Sequence, residues 1–232
     1  MNDLIDALLA YPWIALDPPP TPAERSLLER RVPVPLPADV DALLAVARGF
    51  SSPSLGRIDV AGASHDFEFL DVFPHGVPVA ACDGNFWVVD VRDDGSWGQV
   101  FFVCHDPAVV VVQCLSLRDF LLRLLDGDAL GDEALALAMA VWDRDPVSFS
   151  GTDALASGDV ELAAFAGSLD ESFDIVDLRA AGVGDGFAWG RAGPTTSCRR
   201  HASNMLFGVE RPRARTGWLS RLRGRFRLRD SA

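Results

Sequence analysis

The sequence predicts an α+β fold: a mostly antiparallel sheet of five to six strands flanked by helices, with an α/β C-terminal extension. Three observations carry this. The hydrophobic period is helical up to about residue 49, alternates between Gly56 and Leu115, and turns helical again from Ser116. Two turn signals, Asp83-Gly84 and Asp93-Asp94-Gly95, interrupt the alternating stretch at the spacing of successive hairpins. A run of strands bracketed by helices places the helices on one face of an antiparallel sheet.

Residues 1–35 read as an N-terminal helical segment. Residues 3–9 are apolar-periodic, and Pro12, Pro18, Pro19 and Pro20 then forbid regular structure. Thr21-Pro22-Ala23-Glu24 is a capping box with proline at the first helical position, predicting a helix to about Arg31. Pro33, Pro35 and Pro37 hold the chain extended. A sheet domain over residues 36–125 opens with a helix at 38–48, with Val40, Leu43, Leu44 and Ala47 on one face and Gly49 as its C-terminal cap. Strands are predicted at 57–60, 66–70, 77–82, 85–91, 99–104 and 108–115, followed by a helix capped by Ser116 and running to about Leu125. Residues 126–198 form a mixed extension, with helices at 132–142 and 159–166 and strands at 173–178 and 186–189. Residues 199–232 form an arginine-rich tail.

Composition bounds the function. The chain has 232 residues, 49% of them hydrophobic, enough for a sizeable core without disulfides. It holds 33 acidic residues, 21 arginines and no lysine, for a net charge of −12. The average hides an asymmetry. Residues 1–198 hold 31 acids against 11 arginines, a net of −20, whereas residues 199–232 hold 10 arginines against Glu210 and Asp230, a net of +8. The acidic body argues against a general nucleic-acid binder, and the absence of lysine excludes Schiff-base and P-loop chemistry. No apolar run approaches the roughly 18–20 residues of a membrane helix. The acidic start Met1-Asn2-Asp3 does not read as an export signal. Cys82, Cys104, Cys114 and Cys198 contain no CxxC pair and read as free, mostly buried thiols, so a cytoplasmic chain is expected.

Several motifs occur in a recognisable order. Leu36-Pro37-Ala38-Asp39 opens a helix, and Phe73-Pro74-His75-Gly76 precedes a strand. Asp83-Gly84-Asn85-Phe86-Trp87-Val88-Val89-Asp90 forms a hairpin, and Gly98-Gln99-Val100-Phe101-Phe102 leads to Cys104-His105-Asp106. The helix at 116–125 closes the set. In these features the stretch 36–125, about 40% of the chain, resembles the SUKH superfamily of bacterial toxin-immunity proteins and fungal cell-wall-synthesis regulators. It departs from that pattern in the thin glycine content after Gly49 and in everything beyond residue 126. The resemblance implies a non-enzymatic protein-binding domain that neutralises a cognate toxin. A nuclease is a fitting candidate, since an acidic surface can occupy a basic, phosphate-binding cleft.

The candidate partner-binding residues are therefore acidic and in exposed turns: Asp83, Asp93 and Asp94 with Trp97, and a second patch of Asp66, Glu68 and Asp71. Each also has a plain reading, as a hairpin turn or as a packed tryptophan beside a solvated turn. His75 and His105 read as structural, because adjacent His105 and Asp106 point apart in an extended chain. Gly182-x-Gly184-x-Gly186 lacks the helix a nucleotide loop needs and reads as a turn. No catalytic set, metal site or cofactor motif is found. The tail combines Trp218 and Phe226 with Arg221, Arg223 and Arg225. It suits contact with anionic membrane or nucleic acid, or docking on the acidic body, and as a tether it would suit a regulatory or scaffold module.

Overall fold

The computed structural model describes residues 2–11, 14–127, 129–144, 148–193, 195–202 and 204–211. These build four layers: helices, a seven-stranded sheet, a four-stranded sheet and two further helices. The predicted tail residues Trp218, Arg221, Arg223, Arg225 and Phe226 lie outside the described residues.

The first layer follows local sequence signals. Helices α1 (Asn2–Ala10), α2 (Pro22–Arg31) and α3 (Ala38–Val46) precede the sheet. The capping box at α2 forms as read: the Thr21 N–H donates to the Glu24 carboxylate at 2.8 Å, and the Glu24 N–H donates to Thr21 Oγ1 at 3.3 Å. Glu24 also pairs with Arg48, joining α2 to the end of α3. Gly49 does not cap α3, which stops at Val46 with Ala47 extended. It opens strand β1 (Gly49–Ser52) opposite Asp59, where a Cβ would strike the Ile58 carbonyl. Gly49→Ala is therefore expected to lose about 1–3 kcal/mol by overpacking, read as a lower urea midpoint. An unchanged midpoint would show that β1 can move aside.

Strands β1, β2 (Gly56–Asp59), β3 (Val77–Cys82), β4 (Asn85–Val91), β5 (Trp97–His105) and β6 (Ala108–Cys114) pair with their sequence neighbours in an antiparallel meander. A short strand, β9 (Gly186–Ala188), adds to the β6 edge. The alternation read as a strand at 66–70 does not produce one. β2 pairs directly with β3, and the segment lies across the sheet with Phe67 and Phe73 buried on it. Alternate residues of the strands enter different cores. Val77, Val79, Trp87, Val89, Phe102 and Val111 face helices α1, α3, α4 (Leu117–Leu125) and α5 (Leu130–Asp143), while Val88, Phe101, Val110 and Val112 face the second sheet. Ser116 Oγ accepts the Asp119 N–H at 3.1 Å, capping α4. Among the described residues no helix is long and apolar enough to cross a membrane.

The second sheet has the order β10 (Cys198–Arg200), β11 (Leu206–Glu210), β8 (Phe173–Asp177), β7 (Phe149–Ser150). Its inner face contributes Val176, Cys198 and Phe207 to the inter-sheet core. Its outer face packs Ile175 and Leu206 against α6 (Gly151–Ala156) and α7 (Val160–Ser168). The region expected to begin a tail at residue 199 is thus folded through Glu210. The reason is visible at Arg200, whose side chain and that of Asp90 on β4 are each 2% exposed. The pair is bidentate, with Arg200 Nη2 to Asp90 Oδ2 at 2.8 Å. Arg200 also donates to the Asn204 carbonyl (2.8 Å) and the Val72 carbonyl (3.3 Å), and it stacks on Phe207.

A second buried carboxylate shapes the loop after β2. Asp59 accepts the N–H groups of Ala61 (3.0 Å) and Ser64 (2.9 Å) and the Ser64 hydroxyl. Beside it, burial pushes the His65 imidazole below its ordinary pKa, against the opposing pull of Asp59. The unfolded chain therefore takes up the proton first, and stability falls as pH drops below about 6.5. His65→Gln is expected to flatten the loss of stability between about pH 7 and 5. Denaturant midpoints across that range test it, and a slope equal to that of the parent chain would assign the effect elsewhere.

Candidate functional site

At one end of the large sheet the β3–β4 and β5–β6 turns lie side by side, because Phe86 of β4 pairs with Val103 of β5. Asp83 and Gly84 both adopt positive φ (49° and 79°), the backbone of a tight two-residue hairpin. The next residue, Asn85, fastens the two turns together. Its Oδ1 accepts the His105 backbone N–H at 3.1 Å and lies 2.9 Å from His105 Nδ1. A Cβ on Gly84 would sit 3.2 Å from the His105 ring, so the glycine leaves room for the imidazole. His105 is thus engaged by Asn85, and two of the sequence motifs meet in space.

Between these turns and residues 66–69 runs an open groove of about 390 Å³. Its apolar lining is aromatic. Phe67 is buried with its edge toward Phe86 (centroids 5.3 Å apart, 64°), and Phe69 lies 5.3 Å from Trp189. Phe69, Phe86 and Trp189 are each half-buried. Trp189 reaches the groove because it follows β9 and donates its backbone N–H to the Ala108 carbonyl at 2.9 Å. Asp66 and Glu68 are exposed lining residues, and exposed Asp83 stands on the adjoining turn. No arginine occurs among the described residues lining the groove.

The candidate residues therefore divide. Asp66 and Glu68 line this groove, and Asp83 stands on the turn beside it. Asp93 and Asp94 sit at the other end of β4, roughly 20 Å away for a seven-residue strand. Asp93 Oδ1 lies 3.3 Å from His75 Nε2, and His75 Nδ1 is 2.9 Å from the Arg31 carbonyl, so this turn is tied to α2. Asp94 accepts the Ser96 N–H at 2.8 Å and stabilises its own turn. Trp97 is partly buried against the helical core. Asp71 is exposed but outside the groove, on the side toward Cys198. The sequence reading missed Phe69, Phe86 and Trp189 as site residues. Phe69 could have been found by asking what an apolar, acidic alternation does when it has no strand partner.

The groove is lined by aromatic rings and exposed carboxylates. Cys104 lines it but is buried, and burial raises its thiol. Burial likewise pushes Cys114 and Cys198 up to about 12, and exposed Cys82 is also raised. No three His, Cys, Asp or Glu side chains gather to hold a metal among the described residues. The chain matches no protein-family model, no curated protein and no solved structure. What the groove offers is aromatic area, exposed carboxylates and two turns joined through Asn85 and His105.

Proposed function

We propose that this chain is a cytoplasmic, non-enzymatic protein-binding domain of the immunity type, which neutralises a cognate toxin by presenting the acidic, aromatic groove to a basic face of that toxin. One observation carries the reading: half-buried Phe69, Phe86 and Trp189 are bordered by exposed Asp66, Glu68 and Asp83. An apolar, aromatic centre inside a polar margin is the anatomy of a protein interface, with aromatic anchors carrying most of the binding energy. The ordered motifs similar to those of the SUKH superfamily point the same way, and the Asn85–His105 contact gives two of them a shared structural task. A nuclease fits as the toxin, because residues 1–198, with a net charge of −20, would meet a phosphate-binding cleft with fast, salt-sensitive association.

Co-expression with the product of the adjacent open reading frame tests the proposal. The expected result is that the neighbour is toxic alone, that this chain relieves the toxicity, and that the two purify as a complex. A harmless neighbour, or toxicity that persists in the presence of this chain, would sink it.

A further inference from the structure

The groove has an occupant close at hand in the same chain. After Arg211 the sequence holds Arg213, Arg215, Trp218 and then Arg221-Leu222-Arg223-Gly224-Arg225-Phe226-Arg227-Leu228-Arg229. Extended backbone sends successive side chains to opposite sides. In that conformation, five arginines of residues 221–229 share one side, and Leu222, Phe226 and Leu228 share the other. This pattern is the complement of a groove with an aromatic floor, exposed carboxylates and no lining arginine among the described residues.

We propose that residues 221–229 dock in the groove of their own chain. Their apolar edge lies against Phe69, Phe86 and Trp189, and their arginines lie toward Asp66, Glu68 and Asp83. The segment is then an internal competitor for the surface that a partner must reach. This inference shares the groove with the proposed function but does not need the partner to be a toxin.

Reach and tethering both favour it. Arg211 is anchored to the second sheet, donating its N–H to the Ser172 carbonyl at 2.8 Å and pairing with Asp174 at 3.3 Å. The nine residues from 212 to 220 form the tether and span up to roughly 30 Å when extended. Cys198 pairs with Val209 and feels both Asp71 and Glu210, so the chain leaves the folded body on the side of the segment that lines the groove, within that reach. A short tether holds the segment at an effective concentration on the order of 1 mM. Even a contact of about 100 μM dissociation constant would therefore be roughly 90% occupied in cis.

The natural thiols make the test direct. Cys82 is exposed at the end of β3, beside the Asp83-Gly84 turn, while Cys104, Cys114 and Cys198 are buried. In the full chain carrying Ser220→Cys, a short bismaleimide is expected to link residues 82 and 220 within one molecule, at a rate independent of protein concentration. The paired change Asp66→Arg and Glu68→Arg is expected to slow that linkage at least tenfold. So is the tail change Arg223→Glu with Arg225→Glu, which leaves the folded body untouched, and so is high salt. A linkage rate indifferent to all three would overturn the proposal. Linkage only between molecules, rising with concentration, would replace the occupant with a second copy. Absence of linkage together with sedimentation on anionic vesicles, lost in the tail variant, would instead assign the segment to a lipid surface. Because no partner enters the assay, failure here and failure of the toxin reading are separate results.

Discussion

Replacing Arg200 with methionine is expected to destabilise the protein by about 3–5 kcal/mol, because it leaves the Asp90 carboxylate buried without its counter-charge. For a domain of this size that corresponds to a fall in Tm of roughly 6–20 °C. The position explains the magnitude. Asp90 is on β4 in the middle of the large sheet, Arg200 is on β10 at the edge of the small one, and both side chains are 2% exposed. The guanidinium also donates to the carbonyls of Asn204 and Val72, so one side chain fixes how the second sheet sits on the first. Asp90→Leu alone is expected to cost a similar amount, leaving the arginine as the uncompensated charge. The double change Asp90→Leu with Arg200→Met is expected to recover most of the loss, since a well-packed apolar pair often replaces a buried ion pair at little net cost. Thermal and urea unfolding of the four proteins makes a double-mutant cycle. Two single losses below about 1 kcal/mol each, simply adding in the double variant, would show that the pair is incidental to the packing of the sheets.

Arg200 also shows where the sequence stops being legible. The elements easiest to read have local causes: the Thr21–Glu24 capping box, the Asp83-Gly84 hairpin and the Ser116 cap each act within a few residues. The meander from β2 to β6 follows from them, because each strand pairs with its sequence neighbour. The second sheet has no such local origin. β7 is two residues long, and β10 carries Arg199 and Arg200, whose charges resemble those of the following arginines until a partner 110 residues away is known. The segment 66–70 fails in the other direction, because it alternates from Asp66 to Phe69 but β3 is already paired with β2 and β4. The candidate site divides in the same manner. Asp66, Glu68 and Asp83 were readable as exposed acids, whereas the juxtaposition of Phe69, Phe86 and Trp189 requires pairings between segments 17 to 120 residues apart. Asp93 and Asp94 look equivalent to Asp83 in sequence, yet the length of β4 sets them at the opposite end of the sheet.

That separation yields the strongest functional expectation. If a basic partner binds at the groove, the paired change Asp66→Arg and Glu68→Arg should weaken binding at least 100-fold, about 2.7 kcal/mol. It converts two attractive contacts into two repulsive ones and so reduces both the association rate and the salt dependence. Trp189→Ala should weaken binding at least tenfold by removing an aromatic anchor. It should act mainly on the dissociation rate and leave the salt slope in place, because no charge is lost. The same reversal at Asp93 and Asp94 should change affinity no more than about threefold, through the long-range field alone. All these residues are exposed or half-buried, so circular dichroism and Tm should confirm that the variants are folded before binding is compared. Titration of each variant against the co-expressed partner at two ionic strengths separates charge from contact. Equal losses at the two ends of β4 would mean that the partner reads overall negative charge, and the groove would lose its claim to be the site. A large loss at Asp93 and Asp94 with none at Asp66 and Glu68 would move the interface to the His75 turn. Loss at the groove alone, with the salt slope changing for the arginine pair and not for Trp189→Ala, is the pattern that only an acidic, aromatic docking surface produces.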